Sequence, residues 1–315
     1  MMAGDLPIEP LVSVIIPTYN RPAYLMEAVR SVLAQTWRNL ELIVQDNASE
    51  RDPTPLLTAL GDARLRVIRH DRNIGQTANM VTGCQRATGE YVTILGDDDL
   101  WHPGFLSRLV PQMVANPDVV VSFCAHDYID VNGRVDAAGT TAINRKHRGG
   151  LKRGVHRDIV RLGLVSRSIC ALSAAVYRRD AIEWDRVPLD LAYGFDNYIN
   201  YLAARTGKAC YYDPEHLAKV RLLPQSASQD AASIRGRELN GRTCMGYWDT
   251  FYRDQAVASG RPYFAMKRSD NALRVLLCRL QKQGPRASLR ELMALRREGM
   301  LSPLSLLYHL RYGKN

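Results

Sequence analysis

The segment VSVIIPTYNR, at residues 12–21, decides the fold class of this chain. Its first five residues are β-branched apart from one serine, and they end at Pro17, which is typical of a buried strand. Pro22 then suits the first turn of a helix, and the apolar residues after it recur at helical spacing. The segment therefore predicts a buried strand that leads directly into a helix.

The same strand–helix unit repeats further along the chain. Apolar-rich strands are predicted at 40–44, 65–68 and 91–95, and helices at 53–60 and 76–87. Strands that alternate with helices build a parallel sheet wrapped by right-handed crossovers. The predicted fold class is α/β, with a mostly parallel sheet flanked by helices and a helical, basic C-terminal extension.

Polar clusters follow three of the predicted strands. They lie at residues 18–20, at Asp46 with Asn47, and at residues 97–99. Ligands of parallel sheets bind outside the carboxyl ends of the strands. Because these ends share one edge of the sheet, the three clusters form a candidate binding site.

The carboxylates of Asp97, Asp98 and Asp99 are adjacent and repel one another, so the cluster needs a counter-cation or full solvation. Hard oxygen ligands at a sheet edge suit Mg²⁺ or Mn²⁺, with a substrate diphosphate completing the shell. The alternative is a solvated turn in which Asp99 caps the helix near Pro103. Neither a P-loop nor a dinucleotide fingerprint is present.

These motifs resemble the family 2 glycosyltransferases, which have the GT-A nucleotide-sugar-binding fold. The resemblance rests on VSVIIPTYNR, on ELIVQDNAS at 41–49, on the NIG and ATGEYV motifs at 73–75 and 87–92, and on LGDDDLW at 95–101. Order and spacing agree across residues 11–115 and more loosely to about residue 225, and the basic C-terminal segment is not covered.

The resemblance implies a set of nucleotide-binding residues. They are Pro17, Thr18, Tyr19, Asn20, Asp46, Asn79, Asp97 and Arg221. Asp46 would accept a hydrogen bond from the base; its alternative role is to form a turn. Arg221 would pair with the diphosphate; its alternative is an ordinary surface arginine, and the histidine that often follows in the family is absent.

The resemblance also implies a metal site for Mg²⁺ or Mn²⁺. Asp98 would be the principal ligand with Asp97 assisting, although Gly96 stands where the family has its first aspartate. A shifted register, Asp97 to Asp99, would restore the family motif literally and make Asp99 a third ligand.

Asp196 is the candidate catalytic base. It matches the second residue of the family's acidic pair, and Phe195 replaces the first. In one displacement at the anomeric carbon, Asp196 would take the acceptor hydroxyl proton and the metal would neutralise the departing diphosphate. The alternative is that Asp196 only caps the helix predicted at 193–206.

The rest of the chain is less regular. Further strands are predicted at 119–123, 169–176 and 209–212, and a long loop at 132–155. The predicted division is a nucleotide-sugar-binding half at 1–116, an acceptor-binding half at 117–234 and a helical segment at 235–315.

The charge of +10 is concentrated in the last segment. Residues 1–234 hold 26 Lys/Arg and 26 Asp/Glu, and residues 235–315 hold 16 and 6. Helix signals there are a capping box at Ser288–Glu291, an N-cap at Ser302–Pro303, and an apolar stripe. The stripe comprises Leu273, Leu276, Leu277 and Leu280. Packing on the catalytic domain, a homodimer contact and a peripheral contact with an anionic membrane or lipid diphosphate remain alternatives; nucleic acid is not expected.

The sequence thus predicts an inverting, metal-dependent, non-processive glycosyltransferase. A UDP-sugar donor is favoured, with dTDP or GDP as alternatives, and the acceptor is a glycan, a lipid-linked sugar or a small molecule. A cytoplasmic location, at most peripheral at the inner face of the membrane, is expected because no signal peptide or membrane span is recognised and the six cysteines have no framework spacing. The alternatives are a degenerate sugar-nucleotide-binding protein and a nucleotidyltransferase on a similar fold.

Overall fold

The computed structural model describes residues 9–223, 234–283 and 292–300. Two compact units are present: residues 1–190 with 202–222, and residues 191–201 with 223–315. The first unit contains the sheet and the second is built from helices. The predicted boundaries at 116/117 and 234/235 stay a prediction.

The first unit begins with the predicted succession of strands and helices. These elements are β1 (Val12–Thr18), α1 (Pro22–Leu33), β2 (Leu40–Asp46), α2 (Thr54–Thr58), β3 (Leu65–Arg69), α3 (Gln76–Gln85) and β4 (Tyr91–Ile94). Strands β3, β2, β1 and β4 are neighbours in that order and pair in parallel. The predicted mostly parallel α/β core is therefore confirmed.

Beyond β4 the sheet contains both antiparallel and parallel strand pairs. The further elements are β5 (Leu100–Trp101), α4 (Phe105–Ala115), β6 (Val119–Ile129), α5 (Ala137–Arg148), β7 (Gly154–His156), β8 (Ala175–Arg178), α6 (Phe195–Arg205) and β9 (Ala209–Arg221). The strand order is β3-β2-β1-β4-β8-β6-β9-β5, and β7 pairs with β9. Fully buried aliphatic residues of β1 and β2 form the centre of the core with residues of α1 and α4.

The prediction of a long loop at 132–155 was wrong, because the segment contains α5 and β7. Helix α5 is hard to recognise because its buried positions are Thr140 and Arg148 rather than aliphatic residues. The N-cap of the helix is Asp136, whose side chain accepts a hydrogen bond from the Gly139 amide at 3.0 Å. Buried polar side chains therefore hold α5 in place, and the helix lacks the apolar stripe by which helices are usually recognised in a sequence.

Two predicted strands have different bounds in the structure. The segment 169–176 contributes only its end to β8, because Leu172–Ala174 forms a 3₁₀ turn. The short strand predicted at 209–212 is a strand of 13 residues, β9, which pairs along its length with β6. Its second half mixes charged side chains with the buried Leu217 and Ala218, and pairing with β6 continues to Arg221.

The second unit contains a helical hairpin. Helix α7 (Ile234–Arg253) packs against α8 (Arg261–Gln283), and a 3₁₀ segment (Gln255–Gly260) joins them. The predicted apolar stripe on α8 was only partly right, because Leu277 and Leu280 are 45% and 44% exposed while Val275 is fully buried. The capping box at Ser288–Glu291 and the N-cap at Ser302–Pro303 lie outside the described residues.

Ion pairs inside the second unit absorb part of its basic charge. Glu238 pairs with Arg242, Arg279 and Lys282, at 3.3, 3.5 and 2.7 Å.

Within the described ranges, no helix has both the length and the apolar character needed to cross a bilayer. All six cysteines are free thiols, and four of them are buried.

Candidate functional site

The register of the sheet brings the ends of three strands together. Thr18, the last residue of β1, lies beside Asp46, the last residue of β2. The Thr18 hydroxyl donates to the carboxylate of Asp97, three residues past the end of β4, at 2.8 Å. The three polar clusters that follow these strands therefore meet at one edge of the sheet, as predicted.

Arg21 is the counter-cation of the turn formed by Asp97, Asp98 and Asp99, which we call the acidic turn. One of its terminal nitrogens, Nη1, donates to Asp97 at 3.2 Å and to Asp98 at 2.8 Å. Arg21 immediately precedes α1, so the strand–helix turn fixes its position. Sequence reasoning did not include Arg21 in the site, although the requirement of three adjacent carboxylates for a cation was the signal that could have revealed it.

The acidic turn is buried strongly enough to change its ionisation. Burial, together with the charge of Asp98, raises the pKa of Asp97 to about 6. Burial and the charge of Asp98 likewise raise the pKa of Asp99 to about 7. The pKa of Asp98 is also raised, chiefly by burial, and Arg21 opposes this effect. The turn therefore holds more negative charge than its surroundings stabilise, which favours binding of a cation.

Asp99 stabilises the conformation of the acidic turn through hydrogen bonds. Its oxygens accept hydrogen bonds from the Ser173 hydroxyl at 2.5 Å and from the Arg221 backbone amide at 2.9 Å. Sequence reasoning missed Ser173, which lies in the 3₁₀ turn before β8. These contacts tie Asp99 to β9 and to that turn, and its role as a third metal ligand stays a prediction.

A metal ion at this turn would be held by Asp97 and Asp98. Among the described residues, no group of three or more acidic, histidine or cysteine side chains is arranged to hold an ion. Two carboxylates nevertheless fit Mg²⁺, which proteins often bind through one or two carboxylates together with phosphate oxygens of the substrate. The donor set therefore fits a metal that binds together with a diphosphate.

The packing around Gly96 explains why this position does not carry the first aspartate of the family motif. A Cβ atom at this position would lie 2.9 Å from Asp99 Oδ2 and 3.1 Å from Asp98 Oδ1. The Asp99 side chain has no freedom to yield, because Ser173 and the Arg221 amide hold both of its oxygens. The close approach therefore requires glycine.

Replacing Gly96 by aspartate is expected to destabilise the fold by about 1–3 kcal/mol, the usual cost of overpacking. Urea denaturation measures the change in the free energy of unfolding. Gly246→Asp is the matched control, because a Cβ atom at Gly246 meets nothing within 4 Å. Equal stability of Gly96→Asp and the wild-type chain would show that the turn can adapt.

Arg221 is buried, so the alternative of a surface arginine was wrong. Its side chain is 1% exposed and pairs with Glu27 at 2.7 Å. The guanidinium also donates to the Asp98 carbonyl at 2.8 Å and to the carbonyls of Asp130 and Val131. Every guanidinium nitrogen thus has a partner within the protein, and contact with a diphosphate stays a prediction.

Asp46 is fully buried at the end of β2 and has two partners. Its carboxylate accepts from the Ser49 hydroxyl at 2.5 Å and from Arg69 at 2.7 Å. Arg69 is the last residue of β3. Its side chain is 33% exposed and also donates to the Ser49 carbonyl. Sequence reasoning missed Arg69; its place at a neighbouring strand end was the available signal.

A cleft of about 240 Å³ opens beside these strand ends. It is lined by Thr18, Asn20, Arg21, Pro22, Leu25, Ser49, Glu50, Arg51 and Pro53. Asn20 has a φ angle of 57° and ties the two loops together, because its side-chain oxygen accepts from the Glu50 amide at 2.8 Å. The cleft therefore lies between the loop after β1 and the loop after β2, and two of its lining residues, Thr18 and Arg21, contact the acidic turn.

The other predicted nucleotide-binding residues are placed differently. Tyr19 is 43% exposed beside the cleft and Pro17 is half-buried in β1. Asn79 is 2% exposed and donates to the Gln45 carbonyl at 2.9 Å, behind Asp46. The structure therefore does not bring Asn79 into the cleft.

Asp196 lies in the second compact unit, in the first turn of α6. The Tyr198 amide donates to the Gly194 carbonyl, so the helix is already formed around Asp196, and the alternative that Asp196 is the N-cap was wrong. Asn197 donates to the Tyr247 hydroxyl at 3.2 Å, which fixes this helix end within the unit. The catalytic role of Asp196 stays a prediction.

The comparisons with known proteins identify the family of the chain. The family model described as glycosyl transferase family 2 matches residues 13–184. An uncharacterised glycosyltransferase of Nostoc sp. is 36% identical over 234 residues, which cover 72% of this chain and 69% of that relative. The chain therefore belongs to glycosyltransferase family 2. A match to an uncharacterised glycosyltransferase of Rickettsia typhi, 34% identical, spans only 38% of either chain.

Two solved structures share the fold. Staphylococcus aureus TarS in complex with UDP-GlcNAc has a TM-score of 0.58 at 18% identity, over 86% of this chain and 72% of that one. The mannosyltransferase PcManGT of Pyrobaculum calidifontis, in complex with GDP-Man and Mn²⁺, has a TM-score of 0.60 at 17% identity, over 98% and 89%. The predicted GT-A-type fold is confirmed.

The raised carboxyl pKa values predict how stability changes with pH when no metal is bound. Below pH 3.8 Asp97 keeps its proton in both the folded and the unfolded chain; between pH 3.8 and about 6 only the folded chain keeps it. Stability from this group is therefore lost as the pH rises, by roughly 2–3 kcal/mol. Urea denaturation in chelator from pH 4.5 to 8 should show Asp97→Asn gaining stability relative to wild type; parallel profiles would contradict the burial of this charge.

Proposed function

We propose that this protein is a metal-dependent, inverting, non-processive glycosyltransferase that transfers a sugar from a nucleoside-diphosphate donor to an acceptor hydroxyl. The observation that carries the proposal is the meeting of Asp97, Asp98 and Thr18 at the carboxyl edge of the parallel strands. A diphosphate and its cation bind at such an edge. The cleft beside the turn supplies room for the nucleoside.

The base of the donor would lie against the loop after β2. Asp46 is fully buried there and already accepts from Ser49 and Arg69, so its contact with the base requires these two side chains to move. Asp46 would accept from a ring N–H of the base and Arg69 would donate to a neighbouring carbonyl, a pair of contacts that suits uracil, thymine or guanine. The names of the two structural neighbours include UDP-GlcNAc and GDP-Man, and a UDP-sugar remains the favoured donor with dTDP and GDP as alternatives.

Asp98 and Asp97 would hold Mg²⁺ or Mn²⁺ beside the diphosphate. When bound, the cation supplies positive charge that stabilises the departing diphosphate. Arg21 occupies this position in the structure, with one nitrogen between the two carboxylates. On donor binding the guanidinium would turn toward the phosphate oxygens, where its charge assists departure of the leaving group.

Asp196 would act as the general base. The carboxylate takes the proton from the acceptor hydroxyl while that oxygen bonds to the anomeric carbon and the bond to the diphosphate breaks. One displacement from the opposite face inverts the anomeric configuration. Release of product after a single transfer is the non-processive outcome that we expect.

A degenerate sugar-nucleotide-binding protein is the second candidate. Gly96 and Phe195 in place of two family acids favour it. Incubation with UDP-, GDP- and dTDP-sugars and Mn²⁺ distinguishes the two candidates. Slow release of the nucleoside diphosphate supports the enzyme, and binding without any release supports the degenerate protein.

A thermal-shift screen of UDP, GDP and dTDP, with Mn²⁺ and with chelator, tests the donor site. A ligand at 100 times its Kd adds about 2.7 kcal/mol of stability. We expect one nucleoside diphosphate to stabilise the chain in Mn²⁺ and to do so much less in chelator. Stabilisation by none of them would contradict the proposed function. The cytoplasmic location and the peripheral or dimer contact through 235–315 stay predictions.

A further inference from the structure

Two arginines contact the acidic turn, and the protein holds them with different strength. Arg221 is 1% exposed, and each of its guanidinium nitrogens has a partner within the protein. The Arg21 side chain is 33% exposed and contacts the turn through Nη1 alone. Within the described residues, its other two guanidinium nitrogens form no hydrogen bond. Arg21 is therefore the arginine whose guanidinium can leave the turn.

The backbone at Arg21 is fixed, although its side chain has room to move. The Arg21 carbonyl accepts from the Leu25 amide at 3.0 Å, in the first turn of α1. The amide of the preceding residue, Asn20, donates to the Ser49 hydroxyl at 2.8 Å. The side chain itself lines the cleft of about 240 Å³ beside the turn. A change of side-chain torsion angles can therefore move the guanidinium from the carboxylates towards the cleft while the loop stays in place.

Arg21 uses the carboxylate oxygens that a metal ion would need. Its Nη1 atom lies 3.2 Å from Asp97 Oδ1 and 2.8 Å from Asp98 Oδ2. The other oxygen of Asp97 already accepts from the Thr18 hydroxyl at 2.8 Å, and both oxygens of Asp99 accept from other groups. Two positive charges that share the same two oxygens repel each other. The guanidinium and a metal ion at this turn therefore compete.

A diphosphate would change the outcome of this competition. Its oxygens can complete the coordination shell of a divalent cation that has only two protein carboxylates. They also accept hydrogen bonds from a guanidinium, which suits phosphate through its planar set of donors. Arg21 thus gains a second anionic partner only when the donor is present, and the two carboxylates then become free for the metal ion.

We propose that Arg21 couples metal binding to diphosphate binding: it occupies the metal position in the free chain and exchanges with the ion when the diphosphate binds. This inference rests on the proposed function, because it assigns the regulation of the same donor site. The coupling is reciprocal, since a diphosphate that raises the metal affinity is itself bound more tightly, by the same factor, when the metal is present. Such coupling usually changes affinity by about 5–150-fold.

Titration of the full chain with Mn²⁺ alone, followed by electron paramagnetic resonance of the free ion, tests the exchange. Arg21→Gln removes the competing charge and should raise the Mn²⁺ affinity of the nucleotide-free chain about tenfold or more. Arg21→Ala, a second neutral variant, should behave in the same way. Arg21→Lys keeps the positive charge and should stay closer to the wild type than to Arg21→Gln. Urea denaturation checks that each variant is folded.

Arg51→Gln is the matched control for this titration. Arg51 is exposed, lines the same cleft and forms no ion pair with the described residues. Its replacement removes the same charge without freeing a carboxylate, so the Mn²⁺ affinity should change less than about twofold. An equal rise in Arg51→Gln and Arg21→Gln would indicate a general effect of charge and would overturn the inference. Unchanged affinity in Arg21→Gln, or no Mn²⁺ binding to it, would also overturn it.

A thermal-shift measurement separates this inference from the proposed function. UDP, GDP and dTDP are compared in Mn²⁺ and in chelator, with the wild-type chain and with Arg21→Gln. Mn²⁺ should strengthen nucleotide binding by a larger factor in the wild type, because the variant has lost the exchange. An equal Mn²⁺ effect in both proteins overturns the coupling and leaves the proposed function in place. Stabilisation of neither protein by any nucleotide contradicts the proposed function, whereas the titration with Mn²⁺ alone still decides whether Arg21 competes with the ion.

Discussion

Asp196→Asn is expected to lower turnover by about 10²–10⁴-fold, the usual contribution of a positioned general base. The amide keeps the size of the carboxylate but cannot take the proton of the acceptor hydroxyl. Donor affinity should stay unchanged, because the side chain acts on the acceptor. Nucleoside diphosphate release in the presence of acceptor measures the turnover, and calorimetry measures the donor affinity.

Asp190→Asn is the matched control for this prediction. Asp190 is an exposed carboxylate six positions earlier in the chain, and its loss should leave turnover near the wild-type value. Near-normal turnover of Asp196→Asn would mean that Asp196 only supports the first turn of α6. Equal losses in both variants would instead indicate a general effect of charge.

Asp98→Asn is expected to weaken Mn²⁺ binding in the presence of the nucleoside diphosphate by at least about 100-fold. Losing a residue that only supports a metal ligand already costs about 10–100-fold, so losing a ligand should cost more. The fold should persist, because Asn matches Asp in shape and its neutral side chain removes repulsion from Asp97. Electron paramagnetic resonance of free Mn²⁺ measures the affinity directly.

Asp71→Asn is the control, since Asp71 is an exposed carboxylate of the same unit. Its replacement should leave the Mn²⁺ affinity unchanged. If the wild-type chain binds the nucleoside diphosphate equally well in chelator and in Mn²⁺, the metal-bridged site is wrong. In that case Arg21, which already lies between the two carboxylates, would be the cation that serves the diphosphate.

The strands at the centre of the sheet were predictable because they are buried on both faces. Val12, Val14, Ile15 and Ile16 are fully buried, and such continuous apolar runs are the signature of central parallel strands. The convergence of the polar clusters followed from the direction of these strands. Topology and apolar pattern together were therefore enough for the fold class and the edge that carries the site.

The elements that sequence reasoning missed are stabilised by polar contacts between distant residues. The second half of β9 carries charged side chains, and pairing with β6 makes it a strand. Arg221 was predicted to pair with the diphosphate, with an ordinary surface arginine as the alternative, because nothing in its local sequence indicates its contacts with Glu27 and the Asp130 carbonyl. Arg21 and Ser173 were missed for the same reason, since their partners lie 76 and 74 positions away.

The contacts of Arg221 also bear on the order in which the chain folds. They join β9 to Glu27, 194 positions earlier, and to the Asp98 carbonyl, 123 positions earlier. Contacts across such long loops form late, because closing the loop costs entropy before the contact is made. During synthesis the acidic turn leaves the ribosome well before Arg221 does. We therefore expect the nascent chain to complete the turn, and gain the ability to bind a nucleotide, only after β9 has emerged and paired with β6.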